Sequence, residues 1–70
     1  MTLQDWFRAH PRSVTKFART IGITRSAVHK IARGASFPRP KTIQLIEWAT
    51  EGQVTATDLM ESYQMVNSNG

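Results

Sequence analysis

Phe17-Ala18-Arg19-Thr20-Ile21-Gly22-Ile23-Thr24-Arg25-Ser26-Ala27-Val28-His29-Lys30-Ile31-Ala32-Arg33-Gly34 is the stretch whose reading decides the fold. It reads as two short amphipathic helices joined by a tight turn at Gly22. At about 100° per residue, Arg25, Ser26, His29, Lys30 and Arg33 fall within one arc of roughly 140° on the second helix. Ala27, Val28, Ile31 and Ala32 fill the opposite arc. A helix anchored by one face and carrying cations and hydrogen-bond donors on the other suits the major groove of DNA, which admits a helix and displays a distinct donor and acceptor pattern for each base pair.

Upstream, Thr2 is an N-cap for a first helix over about Leu3 to His10. Asp5 lies in its first turn, where the helix dipole favours an anion. Leu3, Trp6 and Phe7 share its inner face, and Pro11 ends it. Ser13 is placed to cap the second helix, which runs to about Ile21 with Val14, Phe17, Ala18 and Ile21 inward. Gly22 follows where a left-handed residue closes a helix. Thr24 caps the third helix, Arg25 to about Arg33, and Gly34 closes it.

Downstream, Ala35 to Pro40 is too rich in proline for a helix interior and reads as an extended loop, with Pro40 opening a fourth helix that runs to about Glu51. Thr55-Ala56-Thr57-Asp58 resembles a capping box for a fifth helix to about Tyr63. The chain is expected to be all-α, a compact bundle of about five short helices. Its domain is expected to cover residues 1–64, with the helix-turn-helix at about 13–34 and a flexible tail at 65–70.

In the fourth helix Ile43, Ile46 and Ala49 make a core stripe, while Leu45 and Trp48 widen the apolar arc to roughly 220°. Either the last helix covers Leu45 and Trp48 or another molecule does. With Met60 and Tyr63 they are the candidate dimer contacts. Phe37 either plugs an edge of the core or stacks on a partner.

Seventy residues with a hydrophobic fraction of 40% make one small domain, near the lower size limit for a free-standing core. Without cysteine there is no disulfide or thiolate metal site. No apolar run approaches the ~18 residues of a membrane span, and no secretion signal opens the chain, so a cytoplasmic protein is expected. The net charge of +4 is unevenly placed: all nine Lys and Arg lie between Arg8 and Lys41, and no acid lies between Asp5 and Glu47. Such asymmetry points to one half facing a polyanion. The acids are scattered, the two histidines lie apart, and no phosphate loop or metal-ligand cluster occurs. Neither an enzyme, a cofactor nor a metal is expected.

The segment Ser13 to Gly34 resembles the helix-turn-helix of the lambda-repressor/Cro superfamily. The family's inner alanine, turn glycine, following aliphatic, small capping residue and recognition-helix aliphatic correspond to Ala18, Gly22, Ile23, Thr24 and Val28. Ile31 matches the next buried place and Gly34 the closing glycine. The run from Ile46 to Leu59 is also similar to small phage Cro-like regulators and YdaS-type antitoxin-like proteins. The likeness covers about residues 2 to 60.

The resemblance implies a lambda-repressor-like DNA-binding domain, expected to act as a sequence-specific repressor from a phage or mobile element. It implies base contacts from Arg25, Ser26, His29 and Lys30. Backbone contacts would come from Ser13, Thr15, Lys16, Thr24, Arg33, Arg39 and Lys41. The expected partner is a double-stranded operator of pseudo-palindromic form, bound by a homodimer. The alternative is an antitoxin-like or adaptor protein holding a protein partner through its C-terminal helices. One departure stands out: many members carry Gln at the first turn of the second helix, where this chain has Val14. Arg8, Arg12 and Arg19 read as solvated surface charges.

Overall fold

The local signals at the helix ends are enough to set most of the architecture. In the computed structural model, which describes residues 1–67, the order is α1 (Leu3–Ala9), α2 (Val14–Ile21), α3 (Arg25–Ala32), α4 (Pro40–Ala49) and α5 (Ala56–Asn67), with no strand among the described residues. Thr2 Oγ1 accepts from the Asp5 amide at 3.1 Å, and Thr24 Oγ1 accepts from the Ala27 amide at 3.1 Å. Each hydroxyl satisfies a first-turn amide that has no partner inside its own helix. Gly22 takes the left-handed conformation with φ 84° after α2. Pro40 stands at the start of α4, where its missing N–H is no loss.

α2 packs on α3 and α4, α3 also on α1 and α5, and α4 on α5. The core joins Leu3 and Trp6 of α1, Phe17, Ala18 and Ile21 of α2, and Val28, Ile31 and Ala32 of α3 with Ile46, Val54 and Leu59. Phe17 is its aromatic hub: the Trp6 and Phe7 ring centroids lie 5.6 and 5.0 Å away. α3 is thereby held by one face only.

Three expectations require correction. Ser13 precedes α2 but makes no side-chain cap, because its backbone is helical (φ −94°, ψ −4°) rather than extended, and its amide is turned to the His10 carbonyl at 3.0 Å. α4 stops at Ala49, short of Glu51. There the buried Thr50 hydroxyl donates to the Ile46 carbonyl at 2.8 Å and accepts from the Val54 amide at 3.1 Å, folding the chain back so that Val54 enters the core. Glu51 takes φ 54° and Gly52 φ 79° to make that bend.

α5 continues to Asn67, past the end foreseen at Tyr63 and into the segment expected to be a tail. Residues 68–70 of that tail lie outside the described residues. The extra turn has something to pack on at Gly34, whose expected role stands and which carries a second one. Its φ of 80° and the bonds Gly34 N–H to Ile31 and Ala35 N–H to Lys30, at 3.1 and 2.9 Å, close α3 as expected. Yet a Cβ there would also collide with the Ser62 carbonyl and stand 2.9 Å from Val66 Cγ2. Glycine lets α5 lie directly on the end of α3. At Gly22 an added Cβ would meet nothing within 4 Å.

The α4–α5 corner is pinned by acids. Thr55 and Asp58 form the foreseen box: Asp58 Oδ2 accepts from the Thr55 amide at 3.0 Å, and Thr55 Oγ1 from the Asp58 amide at 3.2 Å. Glu47, one helix earlier, accepts from the Ala56 amide at 2.9 Å.

Candidate nucleic-acid interface

On α3 the sequence arcs become inside and outside. Val28, Ile31 and Ala32 are buried, Val28 completely, and Ala27 is half-buried at the margin. Arg25, Ser26, His29, Lys30 and Arg33 are all exposed. The exposed side chains form two ridges. Arg25, His29 and Arg33, four residues apart, make one; Ser26 and Lys30 make the other. Thr24 is exposed at the tip, its oxygen engaged by the Ala27 amide and its hydroxyl proton still able to donate.

The charge around this helix is uncompensated. All nine Lys and Arg residues are exposed. Among the described residues only Arg8 has an acidic partner, Asp5, at 3.4 Å, and both side chains of that pair are largely open to solvent. Two of the acids are engaged elsewhere. Glu47 and Asp58 hold the start of α5, and Asp58 also meets the chain's terminal ammonium at 3.1 Å. The Asp58 carboxyl is held below its ordinary 3.8, chiefly by the Thr55 amide, with burial opposing.

The backbone-contact candidates do not all gather. Thr15, Arg39 and Lys41 are exposed, as is Arg33 at the end of the Arg25–His29 ridge. Ser13 and Lys16 instead border a groove of about 490 Å³ on the other side of α2, with Trp6, His10, Trp48 and Glu51. His10 lies flat on Trp6, ring centroids 4.2 Å apart, and its Nδ1–H donates to the Trp6 carbonyl at 2.9 Å.

A second groove, of about 560 Å³, runs between α1 and α3. His29 and Arg33 form one wall, Gln4 and Arg8 the other, and Phe7 and Val14 the floor. The sequence reading left Gln4 unassigned and took Arg8 for a solvated surface charge. A signal was present: Gln4, Phe7 and Arg8 have the i, i+3, i+4 spacing of a single helix face. What was missing was the knowledge that α3 packs alongside it.

The candidate dimer contacts separate. Leu45 packs against the core and is half-buried, whereas Trp48 is 71% exposed and Met60 is exposed. Tyr63 is half-buried, with Phe37 edge-on at 5.6 Å. Phe37 keeps 40% of its surface open, so it covers the edge of α5 only in part.

Among the described residues no helix is long and apolar enough to cross a membrane, and no three His, Cys, Asp or Glu gather as metal ligands. Comparison with protein-family models, with curated proteins and with solved structures gives no match to this chain.

Proposed function

We propose that this protein is a sequence-specific binder of duplex DNA that represses transcription by occupying an operator. The reading is carried by one observation: α3 is anchored by Val28, Ile31 and Ala32 while its outer face presents only donors and cations, none of them paired with an acid among the described residues. Set in the major groove, Arg25 offers a planar fork that matches the two acceptors of guanine. Ser26 and Lys30 reach adjacent base edges. Arg39 and Lys41, in and after the loop that leaves α3, add attraction that is indifferent to sequence. A repressor of this kind acts in the cytoplasm, where the DNA is.

One helix reads only a few base pairs. A homodimer reading half-sites about 34 Å apart would supply the remaining specificity, hence a pseudo-palindromic operator. Of the four candidate contacts, Trp48 and Met60 are left open. Selection of bound sites from random duplex DNA tests both points together, since a palindrome is expected. Arg25→Ala should then cost about 1–3 kcal/mol on the selected site and little on random duplex. Lys41→Ala should weaken both alike. Equal losses for Arg25→Ala on the two DNAs would remove its base-reading role.

The exposure of Trp48 beside an open groove also favours a second reading, an adaptor or antitoxin-like protein whose partner is another protein. Purification with the products of neighbouring genes separates the two. A stable heteromer lost on Trp48→Ser, from a chain that selects no DNA site, would support the adaptor.

A further inference from the structure

We infer that the groove between α1 and α3 is a phosphodiester seat, in which Arg8, His29 and Arg33 grip one strand's backbone beside the bases met by Arg25, Ser26 and Lys30. This rests on the duplex-binding reading above and reassigns His29 from base edge to backbone. Two elements far apart in sequence bring two guanidinium groups, an imidazole and the Gln4 amide to the same groove, and no carboxylate lines it. Of the exposed α3 side chains only His29 and Arg33 border it, whereas Ser26 and Lys30 project from the other ridge. Backbone phosphates lie outside the base edges, so a groove on the flank of a reading helix meets phosphate when the helix tip meets bases.

The floor favours the same ligand. Phe7, Val14 and Ala32 are apolar and at least half-buried, so the cations stand over a low-dielectric surface where an anion is attracted more strongly than in open water. Arg8 is available for exchange. Its carboxylate partner Asp5 is 3.4 Å away, with side chains 73% and 55% exposed, and a pair so open to solvent holds weakly. A phosphate oxygen can replace that carboxylate while Arg33 and His29 add contacts that Asp5 does not have.

The test is the salt dependence of duplex binding by the full chain and its Arg8→Ala, Asp5→Asn and His29→Ala variants, on the selected site and on random duplex. Loss of one phosphate contact lowers the magnitude of the salt slope by about 0.9, which is about an 8-fold loss of affinity at ~0.1 M salt relative to 1 M. Arg8→Ala should show that loss on both DNAs, and Asp5→Asn should bind more tightly because Arg8 is released. His29→Ala should weaken both DNAs equally. An unchanged slope in Arg8→Ala overturns the seat, as does a His29→Ala loss confined to the selected site. Inorganic phosphate at matched ionic strength should move the Arg8 and Arg33 side-chain NMR signals only slightly and without saturation, because a single free ion lacks the neighbouring phosphate and base contacts that hold the duplex in place; saturation by phosphate alone would overturn the seat and assign the groove to a small anion. If the wild-type chain binds no duplex at all, the proposed function falls as well, whereas normal wild-type binding with an indifferent Arg8→Ala removes only the seat.

Discussion

The helices at the two ends of the chain carry an acid in the first turn, Asp5 in α1 and Asp58 in α5, while α2, α3 and α4 carry none. An acid at that place complements the helix dipole and contributes about 0.3–1 kcal/mol. The middle helices forgo it. Their first turns hold Thr15, Lys16, Arg25, Ser26 and Lys41, and the N-terminal end of α3 remains positive. At the α4–α5 corner the opposite choice is made, with Glu47 and Asp58 both bonded to amides at the start of α5. The contrast teaches that two acids of the acidic half, Glu47 and Asp58, serve the fold itself. The basic half, Arg8 apart, leaves its cations without acidic partners among the described residues and forgoes that contribution to stability.

The two halves meet at Gly34, and the largest effect is expected there. Gly34→Ala combines a left-handed backbone with a collision against the Ser62 carbonyl, and should destabilise by about 3 kcal/mol or more in a denaturant titration. Gly22→Ala carries the backbone penalty alone, about 1–2 kcal/mol. Equal losses would mean that α5 does not rest on the end of α3.

Ser26→Glu inverts the comparison within α3 itself. An acid in the first turn should raise stability by about 0.3–1 kcal/mol and Tm by about 2–6 °C. Duplex affinity should fall more than about tenfold, since the new carboxylate faces the polyanion. Gain in Tm without loss of binding would detach α3 from the interface.

Asp58→Ala removes the carboxylate half of the α5 capping box, leaving the Thr55 half in place, and should cost about 1 kcal/mol. Because the folded carboxyl titrates below its ordinary 3.8, the unfolded chain binds its proton first as pH falls. Its contribution is therefore complete above the ordinary carboxylate range and disappears as the pH drops through the folded value. Wild type and Asp58→Ala should converge in stability at acid pH and differ at neutral pH. A difference independent of pH would place the effect elsewhere. The smallest change is expected from Trp48→Ser, within about 0.5 kcal/mol, because the ring is 71% exposed. A larger loss, dependent on protein concentration, would show that Trp48 is covered by a second copy.

Thr2, Thr24, Gly22, Pro40 and the Thr55–Asp58 box were legible in the chain because a cap is a contact between residues two to four apart. The division of α3 was legible because its period is a property of the helix alone. Ser13 holds the cap position without a side-chain bond, since its backbone is helical rather than extended. The Gln4–Arg8 wall, the separation of Leu45 from Trp48 and the second duty of Gly34 had no such local signature.

The linear chain by itself determined where helices start, where they stop and which side of α3 is greasy, because those depend on near neighbours and on helical periodicity. Only the packing of α1 and α5 against α3 decided which cations share a groove, how far α5 extends and which aromatic side chain stays open to solvent. Such outcomes depend on residues tens of positions apart, and their energies exist only once the bundle has closed.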